Sequence, residues 1–390
     1  MNAAGLRSAA LVLPLVLFLG VFFFWPLATM LTTAVSDDAV GKAFPTTAAA
    51  LSSWDGAVPP DAAIQTAVAT DLRVIEDRSV LGDAVRRLNS AVPGFRSLIT
   101  KTYRTVRQNA DAPLDLTAID AQWGDPAVWR GFARAVPPYT DRNLLAAVDL
   151  QRDADGDIRQ VGEAASANRV IMVRTFVIAA SVTALCAAIG LPYAMLIASA
   201  GGWVRTLLLL AVLLPLWTSL LVRTAAWVVL LQNNGLVNGF LQTIGLIDHP
   251  LPLIFNRAGV VIAMTHVLLP FMVLPIYSVL LTIPSNLMPA AATLGANPLR
   301  AFRHVLFPLV LPGLMSGSLL VFMVALGYYI TPALVGGAED QMISSVIAFY
   351  ATGTANWGMA AALGIILLAA TLVLYAIYGR FSRTPPGFGV

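Results

Sequence analysis

Six runs of apolar residues, set apart by polar breaks, constrain this chain more than any other feature. They cover Ala9 to Met30, Phe176 to Ala198, Leu207 to Leu221 with an extension through Arg223 towards Leu231, Gly259 to Leu281, Gly313 to Leu334, and Trp357 to Tyr378. About 20 apolar residues suffice for a helix to cross a bilayer. The pattern therefore predicts six transmembrane helices and an all-α integral membrane protein. Composition agrees, with 58% of residues hydrophobic and only 12% charged, against roughly 25% charged in soluble domains. The first run exceeds the apolar core of a secretory signal peptide and is read as a retained span. Several runs contain proline or glycine, which membrane helices tolerate when neighbours satisfy the freed backbone groups.

Charge is distributed very unevenly. Eighteen of the 21 acids lie between Asp37 and Glu163, so residues 35–168 are expected to form a separate polar domain between spans one and two. Within it, Ile64, Val68, Leu72 and Ile75, then Leu81, Val85, Leu88 and Val92, recur at helical spacing. Ser97 to Arg107 reads as a further helix, after a turn at Asn89 to Gly94. Trp123-Gly124-Asp125-Pro126 and Pro137-Pro138 read as loop. Asp153, Asp155, Gly156 and Asp157 resemble a calcium loop only superficially, because the glycine is misplaced and no glutamate stands at position twelve. A solvated acidic turn is expected there. The single Cys186, inside an apolar run, reads as a small buried hydrophobe.

Basic residues orient the chain. With the N-terminus inside, the cytoplasmic pieces are residues 1–8, 200–206, 284–311 and 380–390. They carry Arg7, Arg205, Arg300, Arg303, Arg380 and Arg383 and no acid, as the positive-inside rule requires. The expected domains are thus a tail with the first span over 1–34, an extracytoplasmic, mainly helical domain over 35–168, a core of five spans over 169–383, and a tail over 384–390. Between Asn233 and Asp248, Leu236, Phe240, Leu241 and Ile244 share one face, the pattern of a helix lying at the membrane surface.

No Walker A sequence surrounds either lysine, Lys42 or Lys101, so no nucleotide hydrolysis by that route is expected. None of the predicted spans contains an acid, whereas carriers driven by protons or sodium commonly use intramembrane carboxylates. Energy must then arrive from another polypeptide. His249, His266 and His304 fall in no hydrolytic or metal-binding pattern, and no metal or cofactor site is expected in this chain. His266 reads as a buried structural histidine in the fourth span. A sensor or scaffold with an extracytoplasmic ligand domain is a rival class, but its longest inside piece, 284–311, is too short for an output domain.

The inside segment between spans four and five is the candidate input. Pro289 to Pro312 holds Arg300, Arg303 and His304 without an acid. It reads as a short helix from Ala290 to Leu294, a turn over Gly295 to Pro298, and a second helix ending at Pro308. Asn297 before Pro298 is a strong helix start. The spacing of Ala290, Ala291, Gly295, Val305 and Pro308 resembles the coupling loop of ABC-importer permeases, with Pro289 in place of the usual acid and Phe307 in place of the usual leucine. Leu214 to Thr224 with Ala226-Trp227, and Gly327 to Leu334, resemble the third- and fifth-span regions of the spermidine/putrescine permease subfamily, first-subunit type.

The resemblance spans the first helix and about residues 170–380, but not the 35–168 domain. It implies the type I permease fold, and a non-catalytic subunit of a bacterial inner-membrane importer with both termini cytoplasmic. The partners it implies are a second permease, two ATP-binding subunits carrying ATP and magnesium, a solute-binding protein and membrane lipid, with no nucleic acid. It assigns ATPase coupling to Ala290, Ala291, Gly295, Arg300, Arg303 and Pro308. The solute would be polyamine-like, or an opine, amino-acid derivative or aminophosphonate. Trp217, Trp227, Tyr328 and Tyr329 are candidates to line its path, since a desolvated ammonium gains about 2 kcal/mol over an aromatic face. Arg223, Asp248, Glu339 and Asp340 are candidates for the outer mouth or a binding-protein contact; snorkelling to the surface is the simplest use of Arg223.

Overall fold

The computed structural model of the chain describes residues 12–109, 115–153, 157–162 and 166–381. Arg7, Arg383, Asp155, Gly156, the start of the first span and the 384–390 tail lie outside the described residues. The chain divides into two compact units, one drawn from residues up to 162 together with 357–362, the other from 163–356 and from 363 onwards.

In the first unit, α1 (Val12–Val35) is the first apolar helix, and Phe22, Phe23, Phe24 and Trp25 on it are exposed. A polar assembly of short helices follows: α2 (Ala39–Ala43), α3 (Pro45–Leu51), α4 (Ala62–Val74), α5 (Arg78–Ala91), α6 (Phe95–Gln108), α7 (Leu116–Ile119), α8 (Pro126–Ala135) and α9 (Arg142–Ala147). A two-strand antiparallel hairpin closes it, β1 (Leu150–Arg152) against β2 (Ile158–Gln160) with Gln151 opposite Arg159. The periodicities at 64–75 and 81–92 thus belong to α4 and α5, which put Ile64, Val68, Leu72 and Leu88 in the core. The chain breaks between them because Ile75 leaves helical geometry and Asp77 caps the next helix, accepting from the Ser79 amide at 2.7 Å.

Such caps use five of the 18 acids of this segment. Asp61, Asp115, Asp120 and Asp125 likewise accept main-chain amides at helix starts, each satisfying a donor with no partner inside its helix. Hydrogen bonds from Ser79 and Thr117 hold the carboxyls of Asp77 and Asp115 below the usual aspartate range. Trp123-Gly124-Asp125-Pro126 is therefore not loop. It is a tight 3-10 turn over Ala121–Gly124 running into α8, with Pro126 at the first helical position. Trp123 is fully buried, its ring centre 4.8 Å from that of Trp129 in a tilted contact, and Phe95, Phe132 and Phe44 extend the aromatic core. Both indoles find acceptors, Trp123 in the Thr102 hydroxyl at 2.9 Å and Trp129 in the Trp123 carbonyl at 2.7 Å. On the hairpin, Asp153 pairs with Arg159 at 2.7 Å and accepts from the Asp157 amide.

One buried carboxylate ties α3 to α4. Asp71 accepts from the amides of Thr46 and Thr47 at 3.1 and 2.8 Å and from the Thr47 hydroxyl at 2.7 Å. Asp71→Ala leaves those donors unpaired and is expected to destabilise this unit by about 2–4 kcal/mol. Hydrogen exchange at Thr46 and Thr47 checks this; unchanged protection in the variant would contradict it.

The second unit is built from α10 (Asn168–Ser199), α11 (Gly202–Trp217), α12 (Leu220–Leu231), α13 (Leu236–Thr243), α14 (Arg257–Leu280), α15 (Leu287–Thr293), α16 (Pro298–Ala301), α17 (Phe307–Gly327), α18 (Ile330–Val335) and α19 (Ile343–Ala348). The last helix, α20 (Trp357–Phe381), has residues in both units. Six apolar segments among the described residues are long enough to cross a bilayer: 12–35, 168–199, 220–243, 257–280, 298–327 and 357–380.

Two expectations need correcting. The third span does not run unbroken from Leu207 towards Leu231, because Thr218 and Ser219 are extended and divide it into α11 and α12. The fifth does not run from Gly313 to Leu334. It starts earlier and stops at Gly327, where the extended Tyr328 separates it from α18.

At the centre α14 packs against α10 and α17, with Met264, Leu268, Met272, Val273 and Ile276 fully buried. Glycines permit the approach. A methyl group at Gly317 would lie 3.1 Å from the Met272 carbonyl oxygen, and one at Gly313 would lie 2.9 Å from that of Pro275. The helix expected between Asn233 and Asp248 is the shorter α13. Leu236, Phe240 and Ile244 are exposed on it, while buried Asn238 exchanges two 2.9 Å hydrogen bonds with the main chain of Leu251.

Candidate functional site

Two constructions in the second unit stand out from simple helix packing. The first is the elbow between α14 and α17. Helix α15 ends in a Schellman motif: the Ala296 amide donates to the Ala291 carbonyl and the Gly295 amide to the Ala292 carbonyl, both at 3.0 Å. Gly295 makes the turn with φ of +83°, a conformation that costs other residues roughly 1–2 kcal/mol. Asn297 then caps α16 by accepting the Arg300 amide at 2.8 Å, with Pro298 at the first helical position.

Pro308 does not end the second helix. A π-helical turn over Phe302–Leu306, closed by the Phe307 amide donating to the Phe302 carbonyl, absorbs the ring and carries the helix straight into α17. Residues 298–327 form one apolar helical segment, so the elbow is rigidly joined to a membrane span. Ala290, Gly295, Arg300, Arg303, His304 and Pro308 are exposed on it, and Ala291 and Val305 are half-buried. Leu294 and Leu299, which sequence reasoning did not single out, are 89% and 74% exposed at the tip of the bend. Two large apolar side chains flanking a glycine turn are the signal that was available for finding them.

The second construction is a pair of broken helices. The break between α11 and α12 frees carbonyls, and Arg223 takes them: it donates to the Pro215 carbonyl, to the Thr218 carbonyl at 2.7 Å and to the Thr218 hydroxyl at 3.1 Å. Between α17 and α18 the carbonyl of Tyr328 accepts from Ser344 at 2.6 Å and that of Tyr329 from Ser345 at 3.4 Å. A buried hydroxyl pair, Thr224 with Thr331 at 3.2 Å, joins α12 to α18. Trp227 donates its indole N–H to His266 of α14 at 3.2 Å, so this histidine has a partner on a neighbouring helix, but it is exposed and not the buried histidine expected from the sequence.

Trp227 and His266 are thereby brought together, with Arg223 one turn away from Trp227 on α12. Trp217 stands apart, 76% exposed at the end of α11. Asp340 is buried and paired with Arg257 at 3.4 Å, while Asp248 and Glu339 are exposed.

Half of the chain, residues 190–384, matches the profile of the binding-protein-dependent transport system inner membrane component. The spermidine/putrescine transport system permease protein PotB of Escherichia coli is 34% identical over 213 residues, covering 55% of this chain and 78% of that protein. The inner membrane ABC transporter permease protein YdcU of the same organism is 33% identical over 231 residues, covering 56% and 72%. A solved bacterial alginate ABC transporter, in complex with an alginate-bound periplasmic protein, is 19% identical with a TM-score of 0.43, covering 54% of this chain and 78% of that one. The chain belongs to the binding-protein-dependent family of inner-membrane transport components. It is an ABC-importer permease, a transport subunit rather than a catalyst.

Proposed function

We propose that this permease forms half of the membrane path of an ATP-driven importer for a small, polyamine-like solute. ATP and magnesium are held by two separate ATPase subunits, and a second permease completes the path. A binding protein delivers the solute on the outer side, where the polar 35–168 segment lies, and both termini are cytoplasmic. The observation that carries the reading is the elbow. Beyond the Schellman-capped end of α15, with Leu294 and Leu299 exposed at the bend, the Asn297-capped α16 runs through a π turn into the α17 span, so a push on the tip moves a membrane helix as one body. Ala290, Ala291, Gly295, Arg300, Arg303 and Pro308 are the coupling residues in this reading.

For the solute, the names of the PotB relatives support a polyamine. Trp227, Tyr328 and Tyr329 offer aromatic faces to an ammonium group. Arg223 does not forbid this, because the carbonyls of the helix break engage its guanidinium. Its cationic guanidinium, half-buried on the same helix as Trp227, is the one observation favouring a second reading, a zwitterionic or anionic solute such as an opine or aminophosphonate.

Uptake of labelled spermidine by the reconstituted importer, with those alternatives as competitors, decides between them. Saturable spermidine uptake untouched by octopine or an aminophosphonate is expected. Uptake of a competitor with none of spermidine would overturn the polyamine assignment.

A further inference from the structure

Charge in the polar segment is segregated in a way the permease path does not explain. Helix α6 carries Arg96, Lys101, Arg104 and Arg107 and no acid, although this segment holds most of the acids of the chain. Its apolar side, Phe95, Leu98, Ile99 and Val106, is buried in the unit's core. Arg96, Thr100 and Arg104 follow at four-residue intervals, which lines them up along the opposite, exposed side. At about 1.5 Å per residue the two arginines stand about 12 Å apart.

A groove of about 660 Å³ runs along this side, lined by Arg96, Lys101 and Arg104 together with Asn89, Ser97 and Thr105. A second depression, between α5 and α6, shares Arg96 and Thr100 and adds Arg78 and Arg86. Two of these five cations already have acids, Lys101 with Asp120 at 3.1 Å and Arg86 with Asp83. Arg78, Arg96 and Arg104 are exposed and form no ion pair with another described residue.

The shape and chemistry of this surface select among anionic partners. It is open and its charged groups are exposed, whereas small-ligand sites enclose most of their ligand. Membrane-surface helices insert large apolar side chains beside their cations, and neither α5 nor α6 exposes one. Guanidinium groups spread over two helices, with Leu81, Val85 and Tyr103 only half-buried between them and no large apolar side chain standing out, suit a reversible, salt-sensitive contact with an acidic protein surface.

We propose that Arg78, Arg96 and Arg104 form a docking surface for an acidic patch on the importer's solute-binding protein. This rests on the reading of the chain as an importer permease whose polar segment faces the side of delivery. The surface would speed and orient encounter, while the membrane path remains responsible for transport.

The test uses the whole importer, reconstituted in nanodiscs, and reads ATP hydrolysis against binding-protein concentration at low and at physiological salt. In the wild type the half-saturating concentration rises with salt. In the Arg96→Glu/Arg104→Glu variant it is expected to be about tenfold or more higher at low salt and nearly salt-independent, with hydrolysis in the absence of binding protein unchanged. Arg96→Gln/Arg104→Gln, which adds no like-charge repulsion, is expected to lie between, and matching circular dichroism melts confirm that both variants fold. A variant curve superimposable on the wild type overturns the docking surface and leaves the importer reading intact. So does a variant that loses only self-association or binding to anionic vesicles. A wild-type complex that the binding protein does not stimulate at all overturns both.

Discussion

Gly295→Asp is expected to abolish ATP-driven uptake while the subunit still inserts and folds. The left-handed turn at Gly295 costs a side-chain-bearing residue roughly 1–2 kcal/mol, too little to unfold a helical membrane protein, and among the described residues none but the chain neighbours comes within 4 Å of the added carbon. Damage must therefore come from what meets the elbow. Leu294 and Leu299 flank this turn and are exposed, so a partner that covers them would also bury the new carboxylate. A buried charge without a partner costs several kcal/mol, and loss of that much docking energy lowers coupling by two or more orders of magnitude. Gly295→Ala bears the backbone cost alone and should retain measurable uptake. Transport assays on membranes with verified, equal subunit content check this. Wild-type uptake by the aspartate variant would remove the elbow from the energy path.

Gly317→Leu should act by a different route and prevent the core from forming. A first side-chain carbon there would lie 3.0 Å from the Met272 sulfur and, more decisively, 3.1 and 3.2 Å from the carbonyl oxygen and Cα of the same residue. A flexible thioether can move, but helix backbone can move only if α14 and α17 separate. Overpacking of this kind costs about 3 kcal/mol or more. It strikes where Met272, Val273 and Ile276 are fully buried, between α14 and its neighbours. Loss of the monodisperse subunit on detergent extraction is expected. Gly239→Leu, where no other element among the described residues comes within 4 Å of the added carbon, is expected to extract like the wild type. If the two variants behaved alike, close helix approach at Gly317 would not be what holds the core.

Much of this architecture is legible in the residues, and what is not has definite causes. The apolar runs place the long helices because hydropathy and length are local properties. The start of α16 is equally local, since Asn297 and Pro298 carry its capping chemistry themselves. Pro308 misleads because a proline normally ends or kinks a helix; here a π turn absorbs it, and no residue type announces that turn. The break at Thr218 and Ser219 is hidden inside a continuous apolar run. Arg223 is the one sign of it, a cation placed where freed carbonyls need donors. In the polar segment the acids suggest ligands or solvated turns, yet five of them start helices, a use visible only when each is read against the residues that follow. Asp340 likewise reads as free charge until Arg257, far away in sequence, is brought beside it.

The proposed role of the elbow makes one claim above the rest, that movement of solute through this protein is powered by a different polypeptide. Uptake into proteoliposomes, with and without the ATPase subunits and ATP, measures it most directly. The account predicts accumulation only when the second permease, the ATPase pair, the binding protein and ATP are all present. Concentrative uptake by the purified chain alone, without nucleotide, would contradict it.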